Sequence, residues 1–345
     1  MKKAIFCAVA LLAGTVMFAQ MNDSYVLQVG QGNDSDVDQD GLTNDSDVFQ
    51  FGQGNESDVE QDGTSNASVV LQIGRGNDSD VEQDGTTNTS TVTQLGRNNE
   101  SDVEQDGLSN NSDVLQIGRG NSSDVDQNDN GWAALGLHNS LVVQVGRNND
   151  SEVDQDGTAN NSTVLQVGRG NESDVDQNGY GNSFFGYMNA GGLNQSLVVQ
   201  VGRNNDSDVE QDGLANVSVV GQLGRGNESD VDQDGDTNVS LVAQIGRGNE
   251  SNVEQDGSGN GSAVFQLGRN NDSDTRQMGE DNGSLVMQLG RGNESDVRQD
   301  GTTNSSFVFQ LGRNNDSFVT QNGLSHDSDV VQLGLGNNSN VTQNN

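Results

Sequence analysis

Asn44-Asp45-Ser46-Asp47-Val48-Phe49-Gln50-Phe51-Gly52-Gln53-Gly54 runs directly into Asn55-Glu56-Ser57-Asp58-Val59-Glu60-Gln61-Asp62-Gly63-Thr64-Ser65. Both eleven-residue stretches read Asn-x-Ser-x-Val-x-Gln-x-Gly-x-x. The unit first appears at Asn22 and recurs twenty-eight times, to Asn345. Its positions are numbered here as slots 1 to 11. Ser in slot 3 and Gln in slot 7 are present in all twenty-eight units, and Asn holds slot 1 in twenty-six, with His138 and His326 in the others. A repeat this strict marks one supersecondary unit stacked on itself. Function must then come from the stack, because no single unit contains a site.

The fixed residues fall on odd slots and the variable ones between them. That period of two is the strand signature. At helical spacing Ser, Val and Gln would point in widely different directions. Each unit is expected to form a strand of about five or six residues, closed by a turn at Gly-x-x-Asn.

Two kinds of unit alternate, so the structural period is 22 residues. In one kind the even slots are apolar, and slot 8 is apolar in every copy, from Val29, Phe51 and Ile73 to Leu311 and Leu333. In the other kind the same slots are acidic, as in Asp36-Val37-Asp38-Gln39-Asp40. The expectation is an all-β solenoid of about 14 strand-turn-strand rungs, with two parallel in-register sheets facing each other. At about 4.8 Å per rung the stack would be about 67 Å long.

The fixed slots are expected to face inward and form ladders along the axis. The Ser and Gln rows begin with Ser24, Gln28, Ser35, Gln39, Ser46, Gln50, Ser57 and Gln61. They continue through Gln72 and Gln83 to Gln222, Gln233 and beyond. A buried Gln requires its amide to be hydrogen-bonded, and stacked identical Gln side chains bond along a ladder. Gly30, Gly41, Gly52 and Gly63 supply the permissive turn backbone. Outward, one face carries Val, Leu, Ile and Phe and the other Asp and Glu. A long exposed apolar face suggests a packing surface. Eleven arginines share one turn slot, from Arg75 to Arg313, and are expected to pair with neighbouring acids such as Asp78.

Met1 to Ala19 reads as a secretory signal peptide, with Lys2 and Lys3 before an apolar stretch. The chain then divides into five rungs over 20–131, an insertion at 132–137, two rungs over 138–181, an irregular insertion at 182–193, and seven rungs over 194–345. Cys7 is the one cysteine and lies in the leader, so the mature chain has no disulfide or thiol metal site. No mature apolar run is long enough to insert into a membrane. Without Lys2 and Lys3 the chain carries 13 arginines against 52 acidic residues, a net charge of −39 (13 − 52), which excludes nucleic acid as a partner.

Catalysis is not expected. Neighbouring units supply copies of the same residues, and no Ser, His and Asp set converges. His138 and His326 read as substitutes for Asn in a turn slot. No cofactor is expected. The run Asp36 to Asp47 has the ligand spacing of a calcium loop, but the helices that flank an EF-hand are missing. Asp36, Asp38, Asp40, Asp58, Asp62, Asp80 and Asp84 are candidates for weak, diffuse Ca²⁺ binding, since like charges a rung apart favour counter-ions.

The run Asn44 to Gln61 resembles the curlin repeat of bacterial curli subunits, and the resemblance covers about residues 22–345. It implies a secreted subunit that self-assembles into extracellular amyloid fibres for biofilm matrix, adhesion and surface colonisation. It also implies a nucleator subunit, an outer-membrane export pore and periplasmic chaperones as partners. This chain departs from the familiar subunit in having more rungs and more acid, and in entering its first repeat at Asn22 without a further leader. A monomeric acidic solenoid, acting as an adhesin or cation-binding surface protein, is the alternative.

Overall fold

The computed structural model describes residues 22–129, 136–179 and 193–344. The leader at 1–19 lies outside these residues, as do both insertions except Gly136, Leu137 and Leu193. Twenty-eight strands follow one another, from β1 (Asp23–Gln31) and β2 (Asp34–Leu42) to β27 (Asp327–Leu335) and β28 (Asn338–Asn344). Odd-numbered strands form one 14-stranded sheet and even-numbered strands a second, each in sequence order. All pairing is parallel and in register: Ser24 pairs with Ser46, Val26 with Val48 and Gln28 with Gln50. The all-β two-sheet solenoid of about 14 rungs expected from the period is the observed fold.

Most strands are longer than expected, nine residues as in β1 and β2. The reason is that turns stack on turns. Gly30 pairs with Gly52 and Gln31 with Gln53, so the ladder continues through slots 8 to 10. Slot 11 adopts a left-handed backbone, with φ 60° at Thr43 and 62° at Gly54. It still donates to the preceding rung, as Gly54 N–H does to Gln31 O at 3.0 Å.

Both sheets run unbroken past the insertions. Gln116 pairs with Gln144, and Gln166 with Gln200. Gly136 bridges Thr158, and Leu137 takes φ 72°, so these two residues hold ordinary turn slots 10 and 11. Leu193 does the same, with φ 64° and its N–H on Thr158 O at 3.0 Å. Among the described residues the acidic strands before the two insertions are followed to slot 9, at Asp129 and Gly179, and the turn resumes at slot 10 with Gly136 or slot 11 with Leu193.

The core is one cluster of slot-5 valines, a row from each sheet, with Val48 and Val70 of the odd sheet and Val59 and Val81 of the even sheet fully buried, flanked by the Gln, Ser and Asn ladders. Thr275 replaces one valine. The Ser hydroxyls stack but do not bond: from Ser35 to Ser328 they have no hydrogen-bond partner among the described residues. Adjacent copies sit about 4.8 Å apart, beyond O–H···O reach. What Ser contributes is small size, which lets the sheets close on the Val rows.

Candidate functional site

The Gln ladders carry more than rung-to-rung bonds. Gln50 Nε2 donates to Gln72 Oε1 at 2.9 Å and, across the core, to the Asp34 carbonyl at 2.6 Å. Gln61 repeats this on Gln83 at 2.8 Å and the Asp45 carbonyl at 3.0 Å. Gln233 does so on Gln255 at 2.8 Å and the Val217 carbonyl at 3.2 Å. Each amide thus bonds the next rung in its own sheet and the backbone of the opposite sheet. The cross-core bond could not be read from a one-sheet strand pattern. The Asn slots make a third set of ladders: Asn66 N–H donates to Asn44 Oδ1 at 3.1 Å, while Asn66 Nδ2 holds the Asp62 carbonyl at 2.9 Å.

A backbone carbonyl only accepts, so the Gln atom facing it is the amide nitrogen. That fixes a direction along both ladders. Every Gln donates toward the C-terminal end, starting with Gln28 to Gln50 at 2.8 Å and Gln39 to Gln61 at 2.7 Å. Among the described residues nothing donates to Oε1 of Gln28 or Gln39. At the far end Gln332 and Gln343 still accept from Gln310 and Gln321, both at 2.9 Å, but among the described residues their amide nitrogens donate only across the core, to the Asp316 carbonyl at 2.6 Å and the Asp327 carbonyl at 2.9 Å. Among the described residues, the first rung leaves Gln acceptors unused and the last rung leaves Gln donors unused along the ladder.

The acidic columns lie on the outer face of the even sheet. Asp36, Asp38 and Asp40 pair with Asp58, Glu60 and Asp62, and Asp58 and Asp62 pair with Asp80 and Asp84. Along an extended strand, alternate carboxylates stand apart and cannot wrap one ion. Among the described residues no three His, Cys, Asp or Glu side chains are grouped to hold a metal. The columns are strained electrostatically instead. Burial first, then Asp102 and Asp58, push Asp80 above the ordinary carboxylate range. Burial, with Asp154 and Glu104 next, pushes Asp126 up to about 7. Asp176 reaches about 7 from burial and then Asp154.

These folded-state values exceed the unfolded one, so the folded chain binds more protons than the unfolded chain as pH falls. Stability is therefore expected to rise on acidification from about pH 8 to about pH 5 and to fall again as pH climbs through the raised values. Denaturant midpoints at the two pH values would check this. A higher midpoint at pH 8 would contradict it.

The Arg row does not form the expected ion pairs. Arg75 and Arg97 stack in register, as do the rest through Arg313, yet none lies within 4.0 Å of an acid among the described residues. The cause is the turn: Arg75 ends a strand of the odd sheet, and Asp78 begins one of the even sheet. Arg276 and Arg298, within the acidic columns, do pair, with Glu254 at 3.2 Å and Asp296 at 2.9 Å.

Sequence reasoning also missed a buried pair. His138 keeps the Asn ladder, its N–H on Asn110 Oδ1 at 3.2 Å and its Nδ1 accepting Asn160 N–H at 3.3 Å. Its Nε2 lies 3.4 Å from Asp129 Oδ1, with both side chains buried. Asp129 occupies a slot that is Gly in the quoted units. The signal was two departures from the repeat on either side of one insertion. Asp129→Gly and His138→Asn are each expected to destabilise by stranding the other partner, while the double variant returns to the repeat. A double-mutant cycle on denaturant midpoints should show coupling of about 1–3 kcal/mol. Additive effects would mean the pair does not interact.

In register throughout and built from side-chain ladders along two parallel sheets, the described residues form a repeat solenoid. The family model for the curlin associated repeat matches residues 36–63, 43–85, 80–107, 146–179, 190–213, 208–235, 224–257, 268–301 and 294–323, and the chain belongs to that family. The family is structural and non-enzymatic. No curated protein sequence matches the chain.

Proposed function

We propose that this chain is a secreted subunit that polymerises end to end into curli-like extracellular fibres, serving biofilm matrix, adhesion and surface colonisation. The observation that supports this best is the complementary pair of ends. Setting the donors of Gln332 and Gln343 on the acceptors of Gln28 and Gln39 in the next copy continues both ladders. The backbone edges of β27 and β28 meet those of β1 and β2 in the same step. Inverting one copy sets like against like, so growth is head to tail. Further copies of the chain are the main partner, with a nucleator subunit and an outer-membrane export pore as accessories. The leader-like residues 1–19 fit export.

The acidic face gives solubility and keeps that side from sheet-on-sheet contact. Asp36, Asp38, Asp40, Asp58, Asp62, Asp80 and Asp84 gather cations diffusely, and weak Ca²⁺ binding would act by screening.

The test is thioflavin-T kinetics with electron microscopy on residues 20–345, with and without Ca²⁺. Fibres that seed fresh monomer, extend from one end and diffract at about 4.8 Å are expected. A stable monomer that gains β-structure only with Ca²⁺ would replace this reading with the monomeric adhesin.

A further inference from the structure

We infer that the apolar face of the odd sheet is a self-pairing surface, on which two solenoids lie back to back with their stacks parallel. The occupant is a second copy of this chain. Large apolar side chains are left half exposed there: Leu197 38%, Leu223 50%, Ile245 46%, Leu267 49% and Leu311 45%. The rows are interrupted by acid at Asp47, Asp113 and Asp329, in slot 4 of the second, fifth and last rungs. Between Asp113 and Asp329 they run clean for eight rungs, from the strand Asn139–Arg147 to the strand Ser305–Arg313.

The area fits. Eight rungs at about 4.8 Å, each presenting about 20 Å of strand, give roughly 800 Å² per partner, the size of a standard stable interface. The opposite face cannot pair with itself this way, because its columns are carboxylates already pushed up by their neighbours. Pairing therefore stops at two.

The Arg row sets the orientation. It borders the apolar face at slot 10, and no described acidic residue of its own chain lies within 4.0 Å of it. Two aligned arrangements bring the faces together. With stacks antiparallel, slot 10 faces slot 10 and eight arginines meet eight arginines across sheets about 10 Å apart, each contact repulsive. With stacks parallel, about a two-fold axis along the solenoid, slot 10 faces slot 2. In these rungs slot 2 carries uncharged residues, such as Asn139, Gln195, Val217 and Gly283. Slot 6 then meets its own copy across the axis: Val143 faces Val143, and Phe309 faces Phe309. Parallel stacks also share one growth direction, although pairing does not require that fibres form.

The experiment uses the full mature chain in two arms. In the first, mass per length is measured on fibres, or sedimentation on the soluble chain should fibres not form. The wild type is expected to show two chains per about 67 Å of fibre, or a dimer in solution. Ile245→Asp with Leu267→Asp, both outward, is expected to halve either value. One chain per that length, or a soluble monomer, in the wild type overturns the proposal, as does a double variant that keeps the wild-type value. Fibres with a single chain in cross-section would overturn pairing and leave end-to-end growth standing.

In the second arm Val143→Cys, in a mature chain without other thiols, is treated with a bis-maleimide of about 10 Å reach, matching the sheet spacing. A crosslinked dimer is expected from Val143→Cys alone. No crosslink from Val143→Cys alone, together with heterodimer when it is mixed with Phe309→Cys, would establish the antiparallel arrangement and overturn the orientation. No crosslink in either sample overturns the face.

Discussion

Gln222→Leu is expected to cost about 3–6 kcal/mol, while Asp212→Ser ten residues away costs nothing or stabilises. Leu conserves the volume and removes only the amide. Three groups then lose a partner at once: Gln200 Nε2, which donates to Gln222 Oε1 at 2.9 Å; the Asp206 carbonyl, which accepts from Gln222 Nε2 at 2.6 Å; and Gln244 Oε1, which accepts from it at 2.9 Å. Each buried unsatisfied group costs about 1–3 kcal/mol. A polar ladder is costly to break because all its members share one dry column. Asp212 instead stands on the outer face. Burial and then Asp234 raise its pKa, outweighing a side-chain hydrogen bond with Asn178 that lowers it, so its charge is on balance a burden the fold carries. Denaturant midpoints of the soluble chain would compare the two, and hydrogen exchange would locate the loss in rungs beside Gln222. Nearest-neighbour stacking predicts that protection fails locally before it fails at the ends. Equal effects at the two positions would mean that Gln222 and Asp212 share one environment, which the fold does not allow.

The two-sheet architecture was legible because three levels of the sequence agree. Period two fixes strands, the alternation of Phe49 and Phe51 with Glu60 and Asp62 fixes two distinct faces, and the 22-residue return fixes parallel register. The Gln side chains were legible as ladders because a polar residue cannot hold an inward slot unpaired. Their second bond, across to the Asp34 or Glu56 carbonyl, was not. It depends on how the two sheets are staggered, and nothing in a single unit reports that. The Arg row misled for a related reason. Arg75 and Asp78 are three apart in sequence, and proximity along the chain suggested a pair, but the turn between them sends their strands to different sheets. Asp129 and His138 failed in the opposite sense. They stand nine positions apart with the insertion between them, and only the unbroken ladder across that insertion brings them together.

Gly224→Ala is expected to be as damaging as losing Gln222, by about 3–5 kcal/mol or outright failure to fold, while Gly226→Ala in the same turn costs about 1 kcal/mol. Both glycines have positive φ, 137° at Gly224 and 58° at Gly226. Composition alone treats them as equivalent turn residues. Their surroundings differ. A methyl on Gly224 would land on the carbonyl oxygen of Gly246 in the next rung, whereas one on Gly226 would find nothing nearer than the Asn204 carbonyl at 3.8 Å. The chain already tolerates side chains at the second position, with Thr43 at φ 60°, Asn98 at 50° and Ala215 at 58°. At the first position each Gly backbone sits over the next, so one added carbon must push apart two rungs that the Gln and Asn ladders hold together. At Gly224 the need for glycine is therefore set by stacking distance, and at Gly226 by backbone conformation alone; Asp129 holds the first of these positions only beside an insertion. Circular dichroism and denaturant midpoints for the two variants would separate these causes. A Gly224→Ala chain as stable as Gly226→Ala would show that the rungs can spread, and with it that in-register closeness is not what makes this solenoid cohere.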